Sequence, residues 1–199
     1  MKHEFQTTWG RVSLVPLEGD DFESLRVLRN QESRWFKSTA EVSCEQQQEW
    51  QRRYTEKPGD YMFKIVRSAD QNTFMGAVGI YDIDTRKKTG EFGRLVIDKM
   101  KPGYEKGLGL DATVAVLQIA FEQLNLKEVY LEVLSNNLAA IKTYERAGFK
   151  VLADDGSMIR MAITSDGIAE NPLQSIPSTA FRAVKLLSAS SASCEEAKP

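Results

Sequence analysis

The sequence has few of the residues on which much enzyme chemistry depends. Its 199 residues include one histidine, His3, and two cysteines, Cys44 and Cys194. We expect His3 to lie in a mobile terminus, which leaves no histidine for a catalytic triad. A zinc site would have only two distant cysteines, so we expect no metal site. The acid and base groups of an enzyme of this sequence would be carboxylates, tyrosine, lysine or water.

Disulfide patterns, long apolar runs and strong net charge are also missing. The cysteines form no CxxC pair, which favours a reducing compartment. The formal net charge of −2 gives no electrostatic footprint for general nucleic-acid binding, although it leaves room for one local basic patch. No run approaches the roughly 20 apolar residues of a membrane span, and the N-terminus lacks the apolar region of a signal peptide. We therefore expect a cytoplasmic protein with no nucleic-acid or membrane partner.

What the sequence does contain is typical of one globular domain. Hydrophobic residues make up 42% and charged residues 27% of the chain. The predicted strands cover residues 11–17, 61–66, 74–83, 91–98, 127–134 and a final pair, FKVL and SMIRMAIT. The predicted helices cover about residues 21–29, 45–54 and 109–124, with a short one in NNLAAIKTYERAGF.

The order of these elements indicates a βαβ unit within a domain of residues 1–164. Strand 91–98, helix 109–124 and strand 127–134 predict a right-handed crossover between parallel strands. Residues 165–199 form a predicted C-terminal extension with one short helix at 179–187. Its last twelve residues are of low complexity, and we expect disorder there. The sequence leaves open whether this extension is a dimer arm, a lid or a disordered tail, and with it whether the protein is a homodimer.

The stretch YEKGLGLDAT, residues 104–113, lies at the predicted start of helix 109–124. A helix N-terminus carries unpaired N–H groups and the positive end of the helix dipole, and glycines let a phosphate approach the backbone. Lys101 and Lys106 add positive charge, whereas Asp111 opposes an anion unless its side chain points away. The spacing matches neither the dinucleotide fingerprint nor the P-loop, and a plain tight turn is the alternative interpretation.

Two motifs within residues 91–149 resemble the GNAT superfamily of acetyl-CoA-dependent N-acetyltransferases. The first, [QR]-x-x-G-x-[GA], is matched by residues 104–109, with Tyr104 in place of the usual Gln or Arg. The second lies in VLSNNLAAIKTYERAGF, where the family's spacing is kept by Asn137, Ala140, Tyr144, Gly148 and Phe149. The resemblance implies an α/β (α+β) fold: a single domain with helices on both faces of a mixed, mostly antiparallel sheet that contains one central, splayed parallel pair.

The resemblance also implies acetyl-CoA as cosubstrate, without a metal. Backbone amides at the start of helix 109–124 would hold the pyrophosphate, and the splayed edge of strand 91–98 would pair with the pantetheine arm like a short extra strand. The implied cofactor-binding residues are Leu95, Val96, Ile97, Lys106, Gly107, Leu108, Gly109, Leu110, Asn137 and Ala140. A plain buried strand at 95–97 is compatible with this role, and an N-cap is the competing interpretation of Asn137.

Two residues occupy the positions of catalytic groups in the family. Tyr144 matches the general acid, since a phenol with a pKa near 10 is protonated at neutral pH. Its alternative role is that of a helix tyrosine packed in the core. Glu91 begins the strand in EFGR, where some family members use a glutamate as base, often through water. The alternative is an exposed carboxylate at a strand end.

The acceptor site in this fold is built largely by the N-terminal helices and the loop between them. That region, residues 28–54, is rich in arginine and tryptophan, which can bind a phosphorylated planar group. The predicted acceptor-binding residues are Arg29, Asn30 and Trp35; the alternative is that the aromatic residues are core and the arginines surface.

The same region resembles two GNAT branches: enzymes that acetylate amino sugars carried on nucleotides, and enzymes that acetylate ribosomal-protein N-termini. We favour a nucleotide-linked amino sugar as the acceptor. The alternatives are N-terminal acetylation of a protein such as a ribosomal protein, and an acyl-CoA-binding module without catalysis.

Overall fold

A computed structural model describes residues 2–70 and 73–169 and places them around one mixed sheet of eight strands. The strands are β1 (Thr7–Trp9), β2 (Val12–Pro16), β3 (Tyr61–Arg67), β4 (Gly76–Asp84), β5 (Thr89–Ile97), β6 (Glu128–Leu134), β7 (Lys150–Asp154) and β8 (Met158–Thr164). Their order in the sheet is β1-β2-β3-β4-β5-β6-β8-β7. Within the described residues β5 and β6 are the parallel pair, and the other neighbours are antiparallel. This confirms the predicted fold class.

Helices cover both faces of the sheet. They are α1 (Asp21–Gln31), α2 (Cys44–Glu56), α3 (Leu108–Gln118), α4 (Leu138–Arg146) and α5 (Ser165–Ala169). A 3₁₀ turn, Ser33–Trp35, follows α1, and a π-helical turn, Ile119–Gln123, continues α3. Ser43 caps α2 through a capping box with Gln46, which fixes where the loop between α1 and α2 ends.

Two apolar clusters show which helices cover which face. The larger cluster lies between the sheet and the helices α3 and α4, and seven residues of α3 are buried. The smaller cluster joins α1 and α2 to the opposite face through Phe22, Leu25 and Tyr54, which pack with Met62, Ala77 and Val96. Burial of these side chains, at about 25 cal/mol per Å² of apolar surface, holds the two layers on the sheet.

His3 corrects one expectation from the sequence. Instead of lying in a mobile terminus, His3 is buried, with 8% of its surface exposed. Its Nε2 lies 3.2 Å from the carbonyl oxygen of Met62. The ring packs against Phe5, Tyr61 and Phe63, with centroids 5.0 to 5.6 Å apart. The segment before β1 therefore adds an aromatic group to the sheet. A three-residue strand and isolated aromatics give no periodicity, so sequence patterns missed this contact.

The other predicted elements lie at their predicted places, apart from small shifts at the ends. The helix predicted from residue 109 begins at Leu108, and β1, the 3₁₀ turn Ser33–Trp35 and α5 were not predicted. None of the helices between residues 2 and 169 is both long and apolar enough to cross a membrane. The predicted helix at 179–187 and the disorder of the last twelve residues lie outside the described residues. The division of the chain at residue 164 stays a prediction.

Candidate active site

The parallel strands β5 and β6 pair over only part of their length. Their register runs from Thr89 opposite Glu128 to Glu91 opposite Tyr130. Beyond that point β5 continues to Ile97 and β6 to Leu134, without pairing to each other. The sheet is therefore open between the two strands, as a splayed pair requires.

A β-bulge bends β5 beside this gap. Gly79 lies opposite Gly93 and Ala77 opposite Val96, so β5 carries one extra residue between these two pairs. Arg94, within the bulge, has a φ of 54°. A bulge bends its strand and increases the local twist, which accounts for the divergence of β5 from β6.

The predicted pantetheine edge, Leu95 to Ile97, borders the gap. Val96 and Ile97 pair with β4 on one side, and no described strand pairs with them on the other. Their side chains are 5% and 9% exposed. The segment is thus a buried strand and also a free backbone edge, so both interpretations of the sequence are compatible with it.

The N-terminus of α3 leaves backbone amides without acceptors. The N–H of Leu108 donates to the backbone carbonyl oxygen of Glu105 over 3.3 Å, and the N–H of Leu110 donates to that of Gly107 over 3.0 Å. The amides of Lys106, Gly107 and Gly109 have no acceptor among the described residues. Gly107 adopts a φ of 104°, a conformation that favours glycine. These free amides at a helix N-terminus fit the phosphate of a cofactor.

Asp111 does not oppose an anion there, because Arg11 neutralises it. The Nε of Arg11 donates to Oδ2 of Asp111 over 2.8 Å, and this hydrogen bond is the main cause of a raised pKa at Arg11. Its Nη1 donates to the carbonyl oxygen of Lys106 over 3.1 Å. A Cβ at Gly107 would lie 2.6 Å from Nη2 of Arg11. The β1–β2 turn therefore supports the glycine loop from behind.

Asn137 and Ala140 form the start of α4. The Oδ1 of Asn137 accepts a hydrogen bond from the amide of Ala140 over 3.2 Å, so Asn137 is the N-cap. Ala140 is half-buried and packs against the larger cluster. Gly148, with a φ of 102°, ends the helix where the sequence predicted it. A role for Asn137 and Ala140 in cofactor binding stays a prediction.

Tyr144 is buried beside the point where β5 and β6 separate. Its ring centroid lies 5.5 Å from that of Phe92, the first β5 residue beyond the paired segment, and 6.0 Å from that of Phe149. Burial raises the pKa of the Tyr144 phenol well above its ordinary value of 10. The ring is thus part of the core, and the hydroxyl keeps its proton at every physiological pH.

Glu91 is held at the last paired position of β5. Its Oε1 accepts a hydrogen bond from the hydroxyl of Tyr81 over 2.8 Å, and Tyr130 lies opposite on β6. Burial and the Glu91 carboxylate raise the pKa of Tyr81, so this phenol remains a donor. The guanidinium of Arg94 lies over the Tyr81 ring, 4.0 Å from its centroid. The carboxylate is therefore oriented rather than free in solvent.

A second carboxylate lies on β6, two residues beyond the last paired position. Glu132 Oε2 is 2.5 Å from Nζ of Lys37, which belongs to the loop between α1 and α2. The hydrogen bond to Glu132 raises the pKa of Lys37, and the charge of Glu91 adds to the shift. Arg160 lies opposite Glu132 on β8, and its guanidinium is 4.8 Å from the ring centroid of Tyr130. Charged and aromatic side chains from β4, β5, β6, β8 and this loop thus surround one mouth of the gap.

The predicted acceptor-binding residues have other contacts. Arg29 donates to the carbonyl oxygens of Ser38, over 2.6 Å, and of Ala40. Asn30 exchanges two hydrogen bonds with the backbone of Val42, over 2.9 and 3.0 Å. Both side chains therefore hold the loop that carries Lys37.

Trp35 is 37% exposed, and the guanidinium of Arg34 lies 5.3 Å from its ring centroid. The backbone N–H of Trp35 donates to the carbonyl oxygen of Glu32 over 3.1 Å, and Arg34 forms an ion pair with the Glu32 carboxylate over 3.6 Å. Direct contact of Arg29, Asn30 and Trp35 with an acceptor stays a prediction.

Sequence patterns missed four residues of this mouth: Tyr81, Tyr130, Lys37 and Arg160. The alternation along β6 puts Tyr130 and Glu132 on one face, which is the signal that could have found Tyr130. The other three come from separate segments and depend on tertiary structure.

Among residues 2–70 and 73–169, no group of three or more His, Cys, Asp or Glu side chains is placed to hold a metal ion.

Comparison with known proteins agrees with this geometry. Curated relatives include a probable spermine N(1)-acetyltransferase of Bacillus subtilis subsp. natto, 37% identical over 70 residues. That match covers 35% of this chain and only 45% of the relative. The probable N-acetyltransferase YjcK of Bacillus subtilis is 28% identical over 144 residues, 67% of this chain and 77% of the relative.

Solved structures share the fold at lower sequence identity. An apo structure of FdhC, a nucleotide-linked sugar GNAT, is 23% identical and covers 87% of this chain and 97% of its own, with a TM-score of 0.74. A spermidine N-acetyltransferase from Vibrio cholerae, in complex with CoA and spermine, is 23% identical and covers 80% and 98%, with a TM-score of 0.69. The family described as acetyltransferase (GNAT) domain matches residues 11–150. The chain therefore belongs to the GNAT acetyltransferase family.

Proposed function

We propose that this protein transfers an acetyl group from acetyl-CoA to a primary amine. The observation that carries the proposal is the open segment of the β5–β6 pair, with free amides of α3 at one end and a protonated, buried Tyr144 beside it. Family membership supports the same reaction.

Different residues bind the cosubstrate and transfer the two protons of the reaction. The free amides of Lys106, Gly107 and Gly109 would hold the diphosphate, and the free edge of β5 would align the pantetheine arm. The amides of Leu108 and Leu110, also predicted to bind it, already donate to Glu105 and Gly107. Glu91, directly or through a water, takes the proton of the acceptor's ammonium, so that the neutral amine can attack the thioester carbonyl. As the new C–N bond forms and the C–S bond breaks, Tyr144 donates its proton to the leaving sulfur. The nitrogen then releases its second proton, which through water restores the Tyr144 phenol, and Glu91 gives its proton to solvent.

For the acceptor we propose an amino sugar linked to a nucleotide. The exposed Trp35, with the guanidinium of Arg34 beside it, offers a flat surface and a positive charge to a base and a phosphate. The fold similarity to FdhC, a nucleotide-linked sugar GNAT, supports this choice.

A polyamine is the second candidate. The carboxylates of Glu91 and Glu132 border the same mouth, and their negative charge favours a substrate with several ammonium groups. The segment similarity to a spermine N(1)-acetyltransferase supports it.

Release of free thiol from acetyl-CoA tests these proposals. The acceptors are a panel of nucleoside-diphosphate-linked amino sugars, spermine, spermidine and a peptide with a free N-terminus. Turnover with the sugars and not with spermine supports our choice, and the reverse result selects the polyamine. Turnover with the peptide alone would show that the acceptor is a protein N-terminus. Binding of CoA without turnover on any amine would leave an acyl-CoA-binding module.

A further inference from the structure

One lysine brings a primary ammonium group to the mouth of the gap. Lys37 lies in the loop after the 3₁₀ turn Ser33–Trp35, and its Nζ is 2.5 Å from Oε2 of Glu132. Glu132 follows Tyr130, which lies opposite Glu91 in the last paired register of β5 and β6. The ammonium therefore joins the loop to β6 at the side of the gap where the acceptor amine has to enter.

The loop around Lys37 is anchored on both sides, so the position of this side chain is set by the fold. On one side Phe36 packs against the smaller apolar cluster, with Arg29 5.3 Å from its ring centroid. On the other side Arg29 bonds the carbonyl oxygen of Ser38, and Asn30 holds Val42. Lys37 itself is 65% exposed and has no anchor other than Glu132 among the described contacts. Its ammonium can leave while the loop stays in place.

An exposed lysine that pairs with a carboxylate has the same reacting group as the proposed acceptor. Both are primary ammonium groups, and both would be attracted by Glu132 and by the charge of Glu91. We propose that Lys37 occupies the subsite of the acceptor's ammonium in the free protein, and that the acceptor displaces it to pair with Glu132. Glu132 is then an acceptor-binding residue, and Lys37 an internal competitor. This inference rests on the proposed function and names the group that the acceptor must present.

The proposal predicts opposite effects for the two partners of one ion pair. Removing Lys37 frees Glu132 and strengthens acceptor binding, whereas removing the charge of Glu132 weakens it. Because exposed ion pairs are weak, we expect changes of about two- to fivefold in each direction. If the pair only stabilised the loop, both substitutions would disturb the site in the same direction.

Calorimetric titration of spermine into the full chain saturated with CoA tests the inference without requiring turnover. We expect Lys37→Met to bind spermine about two- to fivefold more tightly than the wild type, and Glu132→Gln more weakly by a similar factor. The double variant should behave like Glu132→Gln, because the competitor matters only where the carboxylate is present. Lys37→Arg, which keeps the charge, should match the wild type.

A matched control is Lys87→Met, which removes the same charge from an exposed ion pair with Asp84, 3.8 Å long, in the turn between β4 and β5. This variant should bind spermine as the wild type does. The inference is overturned if Lys37→Met binds spermine no more tightly than the wild type, if its gain survives in the double variant, or if none of the proteins binds spermine. Failure of the proposed function would look different, since CoA itself would not bind or would bind without thiol release.

With an acceptor that is turned over, kinetics give a second readout. Lys37→Met should lower the KM for the amine and leave kcat near the wild-type value, because neither proton transfer involves Lys37. A fall in kcat with unchanged KM would contradict a competitor role.

Discussion

The two sides of the gap between β5 and β6 differ in the groups they present. Toward α3 the proposed contacts are backbone groups: the amides of Gly107 and Gly109 and the free edge of Val96. Toward the loop between α1 and α2 they are side chains, chiefly Glu91 and Glu132. Backbone groups keep their places when side chains are substituted, whereas side chains can change from protein to protein. We therefore expect the fold to determine how the acyl donor binds and individual side chains to determine which acceptor binds.

Tyr144 lies between the two sides of the gap, and Tyr144→Phe, which removes the proposed general acid, should have the largest effect on kcat. Loss of the acidic proton should lower kcat by about 100-fold, within the range for general acids, and leave the affinity for CoA nearly unchanged. Because burial raises the pKa of Tyr144, its deprotonation should not limit kcat below about pH 10. Measurement of kcat from pH 6 to 10, together with CoA calorimetry, checks both points. A full rate in the phenylalanine variant would show that another group protonates the thiolate.

Gly109→Ala tests the backbone side, with a smaller effect. A Cβ at Gly109 would meet no atom closer than 3.7 Å, and alanine favours a helix by about 1 kcal/mol over glycine. We therefore expect an unchanged or higher Tm. A phosphate close to this Cα would be pushed away, so the affinity for CoA should fall about tenfold, equivalent to about 1.4 kcal/mol.

Calorimetric titration with CoA measures the effect of Gly109→Ala on the Kd. An unchanged Kd in a folded Gly109→Ala variant would mean that no ligand approaches the backbone at Gly109. Gly107→Ala is a less specific test, because its φ of 104° and the nearby Arg11 make the substitution itself strained.

Arg11→Gln tests whether a side chain supports the backbone side. It removes the partner of Asp111 and leaves that carboxylate near the proposed phosphate position. We expect the affinity for CoA to fall about three- to fivefold, a cost typical of a partly exposed charge pair. The double variant Arg11→Gln with Asp111→Asn should recover much of this loss. If the double variant binds CoA as weakly as the single one, Arg11 acts by packing rather than by neutralising Asp111.

His3 lies away from both sides and should affect stability alone. Burial lowers the pKa of His3 below its ordinary value of 6.5, so the folded protein favours the neutral ring. Its stability contribution is complete above pH 6.5 and is lost as the pH falls through the lowered pKa. The Tm of the wild type should drop more between pH 7 and pH 5 than that of His3→Phe. Equal pH dependence of the two Tm values would show that His3 is solvated.

Most of the fold and the backbone side of the site could be predicted from the sequence. The glycines at 107 and 109 and the spacing from Asn137 to Phe149 are local patterns, because each lies within one turn or one helix. The gap was implied by the family resemblance that those motifs carry, since a crossover between parallel strands does not by itself require one. Short sequence motifs predict the conformation of the backbone segment in which they occur. The backbone side of the site is made of such segments, so it could be predicted.

The acceptor side could not be predicted in the same way. Lys37, Tyr81 and Glu132 come from three segments that meet only in the folded sheet, and Glu91 was predicted only through the family resemblance. Arg29 and Asn30 were predicted as acceptor contacts, but side-chain type does not reveal that their donors hold the backbone of the next loop. His3 shows the same limit, because aromatic packing at long sequence separation leaves no periodic signal.

The extra residue in β5 has a consequence for how this strand can vary. Phe92 and Val96 are both even-numbered, yet Phe92 belongs to the larger apolar cluster and Val96 to the smaller one. The alternation of the strand is thus reversed halfway along its length. Deleting one residue of the segment 93–95 would remove the bulge and leave a regular ladder, in which Val96 still pairs with Ala77 and still faces the smaller cluster. The side chains would keep their faces, but β5 would lose the bend that turns it away from β6, so we expect the shortened strand to narrow the gap.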